Sequence, residues 1–329
     1  MRDPVRTVSL LVALGLFVIG MAMALQPSSP AGPRTEIAAT NTSPGTSDGG
    51  PGPHRPGPAG GSRDLQYSAV QSEYMWLDAL DQANLLANRI PPPPGYERLP
   101  VEPKSFADWL RRIPLRKGRP QVLLFDGQAK PNQDAHFAVV DIDTGRKDLQ
   151  QCADAIMRLR AEHLFAGGKQ NDIHFNFTGG LRADWTRWAQ GDRPIGSGST
   201  MRWRTGTGRQ DFSYRNFRQY LETVFKYAGT LSLSRELVPV TDVAGMQIGD
   251  VFIQGGSPGH AVIVIDVAVN RATGGKAFLL AQSYMPAQDF HVLKNPNDLG
   301  LNPWYKADYG DVLVTPEWRF RRADLKRFP

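Results

Sequence analysis

The chain has 329 residues, a single cysteine and a net charge of +6. A lone cysteine excludes an intramolecular disulfide. The basic residues are scattered, with no basic helix and no nucleic-acid motif, which excludes a nucleic-acid partner; the modest positive balance suits an anionic envelope surface or plain solubility.

Residues 1–24 read as an export signal, with Arg2 and Arg6 ahead of an apolar run from Thr7 to Met23 and an A-x-A cleavage site at Ala22-Met23-Ala24. The competing reading keeps residues 7–24 as an uncleaved anchor, because the run approaches the roughly 20 residues that span a bilayer. Either way the protein is expected to be exported, periplasmic or secreted, with an N-terminal membrane tether in the second case. Residues 25–65 are rich in Pro, Gly, Ser and Thr and almost free of large apolar side chains. Such a stretch buries too little to fold and reads as a disordered linker. Residues 66–329 are then one domain.

Within that domain, Val70, Tyr74, Leu77, Leu80, Ala83 and Leu86 follow helical spacing, which predicts a helix from Tyr67 to Ile90, stopped by Pro91 to Pro94. Ser105 caps a short helix from Phe106 to Arg112. Gln121–Phe125 and His136–Ile142 read as strands. Asp148 with Gln151 three positions on forms a capping box for a helix carrying Leu149, Cys152, Ala153, Ile156 and Leu159 on one stripe, ended by Gly167-Gly168. Cys152 is expected at its fourth position. Ile173–Thr178 reads as a strand, and Leu181–Gln190 and Phe212–Tyr227 as helices. The Gly-rich stretch from Gly191 to Gly208 between them reads as a long loop over a cleft. The last third predicts strands at Asp250–Gln254, His260–Val269, Lys276–Gln282 and Asp311–Thr315, with a turn at Asn270–Gly275. Helices followed by a meander of strands give an α+β fold.

Cys152 at a helix start and His260 at the start of an apolar strand are the arrangement of a thiol nucleophile and its base. A helix N-terminus lowers a thiol pKa, and an imidazole takes up its proton. The imidazole needs a partner for its second nitrogen. Asp266 lies six residues along the same strand, about 20 Å away at roughly 3.3 Å per residue, and is out of reach. A hairpin turn at Asn270–Gly275 brings Gln282 near His260, where its amide accepts from the ring N–H. The Cys152 N–H and the Gln150 amide are candidate oxyanion donors, with Gln151 occupied by the cap. The plainer reading is a small buried hydrophobe at 152 and a strand-start histidine bonded to backbone.

The strings DLQQCAD (148–154), YAGTLSL (227–233), GDVFIQGGSPGHA (249–261) and QSYMPAQ (282–288) together resemble a bacterial family of exported proteins known only as a domain of unknown function. That resemblance covers about Ile90 to Phe320 and implies the domain boundaries. The block from Gly249 to Val264 is in addition similar to the histidine block of NlpC-type and CHAP-type cell-wall amidases. This second resemblance implies a papain-like layout, with N-terminal helices packed on a C-terminal antiparallel sheet and Cys152, His260 and Gln282 in the catalytic roles.

Two functions follow. The first is a cysteine amidase or peptidase cleaving an amide in the cell envelope, peptidoglycan being one candidate substrate, with no metal or organic cofactor. The second is a non-catalytic envelope or glycan-binding domain in which Cys152 is buried and inert and Trp185, Trp188 or Trp203 stacks on sugar rings. A metal hydrolase is disfavoured by the lack of HExxH or of two histidines at i, i+4.

Overall fold

Two apolar runs near the C-terminus, His260–Asn270 and Lys276–Gln282, form the centre of a nine-stranded sheet in the computed structural model, which describes residues 73–329. The signal peptide or anchor expected at 1–24 and the linker at 25–65 lie outside the described residues. In chain order the strands are β1 (Tyr96–Arg98), β2 (His136–Val139), β3 (Val238–Pro239), β4 (Val251–Gln254), β5 (His260–Asn270), β6 (Lys276–Gln282), β7 (His291–Leu293), β8 (Tyr305–Lys306) and β9 (Leu325–Arg327). They lie in the order β2-β7-β6-β5-β4-β9-β3, with β1 paired to β5 and β8 to β6. Every pairing is antiparallel. The helices are α1 (Phe106–Arg111), α2 (Cys152–Ala166), α3 (Trp185–Ala189), α4 (Tyr214–Tyr227) and α5 (Thr230–Glu236). The α+β class read from the sequence is what the molecule has.

Strand β5 is buried from His260 to Ala268, with no inside–outside alternation. It is covered on both faces, which explains the unbroken Ala261–Val269 apolar run. Helix α2 packs across it and also meets α1, α4 and α5. Most of α2 is therefore buried, not just the stripe expected from its spacing. The burial includes Arg158 and Glu162, one turn apart and joined at 3.2 Å. Arg158 further donates to the Asp143 carboxylate at 2.6 Å and to Gln150 Oε1 at 2.7 Å, while Tyr214 Oη donates to Glu162 at 2.9 Å. A central helix can carry two charges only when nearly every polar atom is paired in this way.

The hairpin from β5 to β6 contains a feature that decides where Gln282 points. The register runs Lys276↔Val269 to Leu279↔Asp266, then slips to Leu280↔Val264 and Ala281↔Ile263, leaving Ile265 as an extra residue. Continued by one pair, the slipped register sets Gln282 against Val262, on the same face as His260 and diagonal to it. Without the slip Gln282 would oppose Ile263 and point to the other face, because side chains alternate with period two. Asp266, beside the bulge and fully buried, is held by Arg98 Nε at 2.6 Å and Arg111 Nε at 2.8 Å.

Several expected elements differ. The described part of the Tyr67–Ile90 helix is a 3-10 turn at Gln82–Asn84 and one helical turn at Leu86–Arg89. Asp81 caps a new start there, accepting from the Ala83 N–H at 3.1 Å and from the Asn84 amide at 2.8 Å. The apolar positions Tyr74, Leu86 and Ile90 are still buried. Gln121–Phe125 makes only isolated bridges, Leu123 to Ala129 and Leu124 to Gln288. The helix expected at Leu181–Gln190 is split: Arg182–Asp184 pairs with His174–Asn176, and only then does α3 begin. The Gly191–Gly208 stretch contains a small hairpin, Arg193–Ile195 with Arg202–Arg204. Val312–Val314 pairs with Arg319–Arg321 in a ribbon of its own, outside the main sheet.

Candidate functional site: a cleft at the start of helix α2

Helix α2 begins later than the sequence suggests. The N-cap is Gln151, whose backbone N–H donates to Asp154 Oδ2 at 3.1 Å, so Cys152 is the first helical residue. Two tight bonds, Leu149 N–H to Lys147 O and Gln151 N–H to Leu149 O, both 2.8 Å, keep residues 147–151 out of the helix. Asp148 does pair with Gln151, accepting its amide at 2.9 Å, but from a loop. The same Asp148 oxygen accepts the Ala287 N–H at 2.7 Å, which ties the approach to α2 to the segment following β6.

Cys152 is 9% exposed and unpaired. Burial pushes its thiol up to about 11, with the nearby Asp154 carboxyl adding to the rise. The N–H groups of Ala153, Ala261 and Cys152 favour the thiolate and are outweighed. His260 is 1% exposed, and burial brings its imidazole down to about 4. Its Nε2 donates to Gln282 Oε1 at 2.8 Å. The rings of Tyr284 and Trp318 lie 4.6 and 5.2 Å from it, centroid to centroid.

These observations correct the hydrolase expectation. A thiol near 11 and an imidazole near 4 are both neutral at pH 7, so the thiolate–imidazolium pair that a cysteine amidase or peptidase requires is not formed. Among the described residues no hydrogen bond joins Cys152 to His260, and no group of three or more His, Cys, Asp or Glu side chains is placed to hold a metal ion. The helix N-terminus was expected to lower the thiol pKa; burial dominates instead. Cys152 is a buried, non-disulfide residue packed at a helix start, which is the plainer of its two readings.

Gln150 is also placed differently from the expected oxyanion donor. It is 2% exposed, with its amide nitrogen on the Asp143 carbonyl at 3.2 Å and its oxygen on Arg158 at 2.7 Å. Its backbone carbonyl accepts Ser283 Oγ at 3.1 Å. Gln150 thus braces the α2 start against the end of β6.

Cys152 and His260 nevertheless line one cleft of about 790 Å³, with Gln151, Thr230, Tyr284 and Trp318 among the other walls. Gln282 sits behind His260, fully buried, and continues inward: its Nε2 donates to Glu317 Oε2 at 2.7 Å. The same Glu317 oxygen takes Lys130 Nζ at 2.5 Å, and its other oxygen takes the Asn132 amide at 3.2 Å. Lys130 is 5% exposed, and burial lowers its pKa. Sequence reasoning missed Glu317, Lys130 and Trp318. They come from irregular segments far apart in the chain and carry no periodic signal. Tyr284 lay in a quoted string, without a role.

The tryptophans expected to stack on sugars are not at this cleft. Trp185 and Trp188 are 0% and 7% exposed, core residues whose rings pack around Tyr220. Trp203 lies in the small hairpin under the Arg187 guanidinium. No residue of Gly191–Gly208 lines the cleft, so the expected cover is not there.

The fold and site define an α+β domain with a mixed aromatic and polar cleft where a buried helix meets the ends of the central strands of a buried sheet. The chain belongs to the family described as Domain of unknown function (4846), whose model matches residues 86–327. No curated protein and no solved structure matches the chain, and the expected likeness to NlpC-type and CHAP-type amidases finds no support.

Proposed function

We propose that this protein is a non-catalytic binding module of the cell envelope, taking a glycan strand in the cleft at the start of α2. The observation that carries the reading is the composition of the cleft. Tyr284 and Trp318 line it with aromatic rings of the kind that stack on sugars, and Gln151, Thr230 and Asp148 stand among them as hydrogen-bonding groups. The Trp318 N–H is already committed to Gln254 Oε1 at 3.0 Å, which fixes the indole. The Tyr284 hydroxyl makes no hydrogen bond to the described residues and is free for a ligand. Export by residues 1–24 and a tether over 25–65 fit an envelope location and are part of the proposal. Of the papain-like layout, this reading keeps N-terminal helices on a C-terminal sheet and drops the thiol chemistry.

The test is titration calorimetry with chitotetraose and with soluble peptidoglycan glycan chains. Trp318→Ala is expected to bind about tenfold more weakly than wild type or worse. Failure of both probes to bind wild type, or equal binding by Trp318→Ala, sinks the reading.

A further inference from the structure

The chain of bonds behind His260 fixes more than its position. Glu317 is held by Lys130 and Asn132, and it accepts the Gln282 amide nitrogen at 2.7 Å. That contact dictates which way the Gln282 amide is turned. Its nitrogen faces a carboxylate, so its oxygen faces His260 Nε2 at 2.8 Å. An amide oxygen only accepts, so Nε2 carries the hydrogen. In the neutral ring Nδ1 is then a bare acceptor.

Nδ1 has no partner among the described residues, and it is not one of their sealed, unsatisfied buried atoms, whereas the His136 Nδ1 is. Since His260 lines the cleft, Nδ1 is the ring atom left open to it. We infer that His260 reads the ligand through Nδ1 as a hydrogen-bond acceptor, with Gln282 and Glu317 as positioning residues that hold the tautomer. The ligand therefore presents a donor there, a sugar hydroxyl or an N-acetyl N–H, and not a carboxylate or phosphate oxygen. This rests on the binding reading above and narrows its ligand class to neutral, donor-bearing glycan units.

Phe320 also lies near the imidazole, its ring nearly parallel at 6.0 Å centroid to centroid. The titratable groups around the network are Lys130 and Glu317, which pair with each other, His291, whose Nε2 lies 3.5 Å from the Gln282 Nε2, and Cys152, Asp154 and Tyr284 in the same cleft wall. Protonation of the ring at acid pH would convert the acceptor into a donor and abolish the contact.

The experiment is nitrogen-15 NMR of the histidines in the free protein at pH 7, followed by chitotetraose titration of wild type, His260→Phe and Gln282→Leu. A pyridine-like Nδ1 and a pyrrole-like Nε2 on His260, with Nδ1 shifting upfield on ligand addition, is the result expected. Affinity should fall about tenfold in His260→Phe. In Gln282→Leu the Nε2–H assignment should give way to a tautomer mixture. A protonated Nδ1 in the free wild type overturns the inference whatever the cleft binds. Unchanged affinity in His260→Phe overturns it while leaving the glycan reading intact. No binding by wild type removes both.

Discussion

Asp266→Asn tests how the buried sheet sets up the cleft. The substitution keeps the side chain's shape and removes its charge. Asp266 is 0% exposed and takes Arg98 at 2.6 Å and Arg111 at 2.8 Å. Breaking a buried ion pair from one side costs about 3–5 kcal/mol. The two arginine side chains are 21% and 11% exposed, and each keeps a backbone carbonyl, Ile90 O for Arg98 and Leu99 O for Arg111. They can thus recover some hydration, and an asparagine oxygen still accepts from one of them. The expected loss is about 3 kcal/mol, read in urea as a lower midpoint at constant m. The site provides a second reading. Asp266 Oδ1 also accepts the Val267 N–H at 2.9 Å, next to the bulged Ile265. If the arginine clamp holds the bulge, its loss should loosen the register that puts Gln282 on the His260 face, and the His260 nitrogen spectrum should broaden. A loss below about 1 kcal/mol with an unchanged spectrum would refute the reasoning.

Two further expectations follow from burial. With its thiol pushed from 9.0 to about 11, Cys152 should alkylate at pH 8 about a hundredfold more slowly in the folded protein than in urea. His260→Ala should leave that rate within about twofold, and rapid His260-dependent labelling near neutral pH would restore the thiolate pair rejected above. His163, packed against Phe106 and Trp109, is brought down by burial to about 4, with Arg160 and Lys169 adding to the effect. The unfolded ring, near 6.5, takes up its proton first, so stability is lost as pH falls from about 6.5 to about 4 and is flat below. His163→Leu should flatten the curve across that window by about 3 kcal/mol in total. Glu236, raised to about 7 by burial, acts in the opposite direction but equally in both proteins, so it cancels in the difference. Parallel wild-type and variant curves would show that packing against Phe106 and Trp109 does not hold the ring's pKa down.

The parts of this molecule legible from sequence are those set by local rules. Lys276–Gln282 is found at its predicted bounds and β5 within one residue, because β-rich apolar runs ending in an Asn270–Gly275 turn leave the chain few alternatives. The Ser105 cap is present, with Asp108 N–H on its Oγ at 3.1 Å. Local rules failed where a distant group took over a local one. Asp148 has the right chemistry for an N-cap, but the Ala287 N–H and the Gln151 amide claim its carboxylate, and the helix is capped three residues further on, at Gln151. The same competition decides the fate of Cys152. A cysteine at a helix N-terminus is activated only if water or a cation can stabilise the thiolate. Here the α2 start is pressed against β5, the Ala261 N–H is the nearest donor that β5 supplies, and the acidic Asp154 lies on the same turn. The dipole favours the charge by at most about 2 kcal/mol at a helix end, whereas the desolvation of a buried ion costs several. Spacing in a sequence can place a thiol and an imidazole on neighbouring elements. It carries no measure of how deeply the fold will bury them, and in this protein burial is the larger energy.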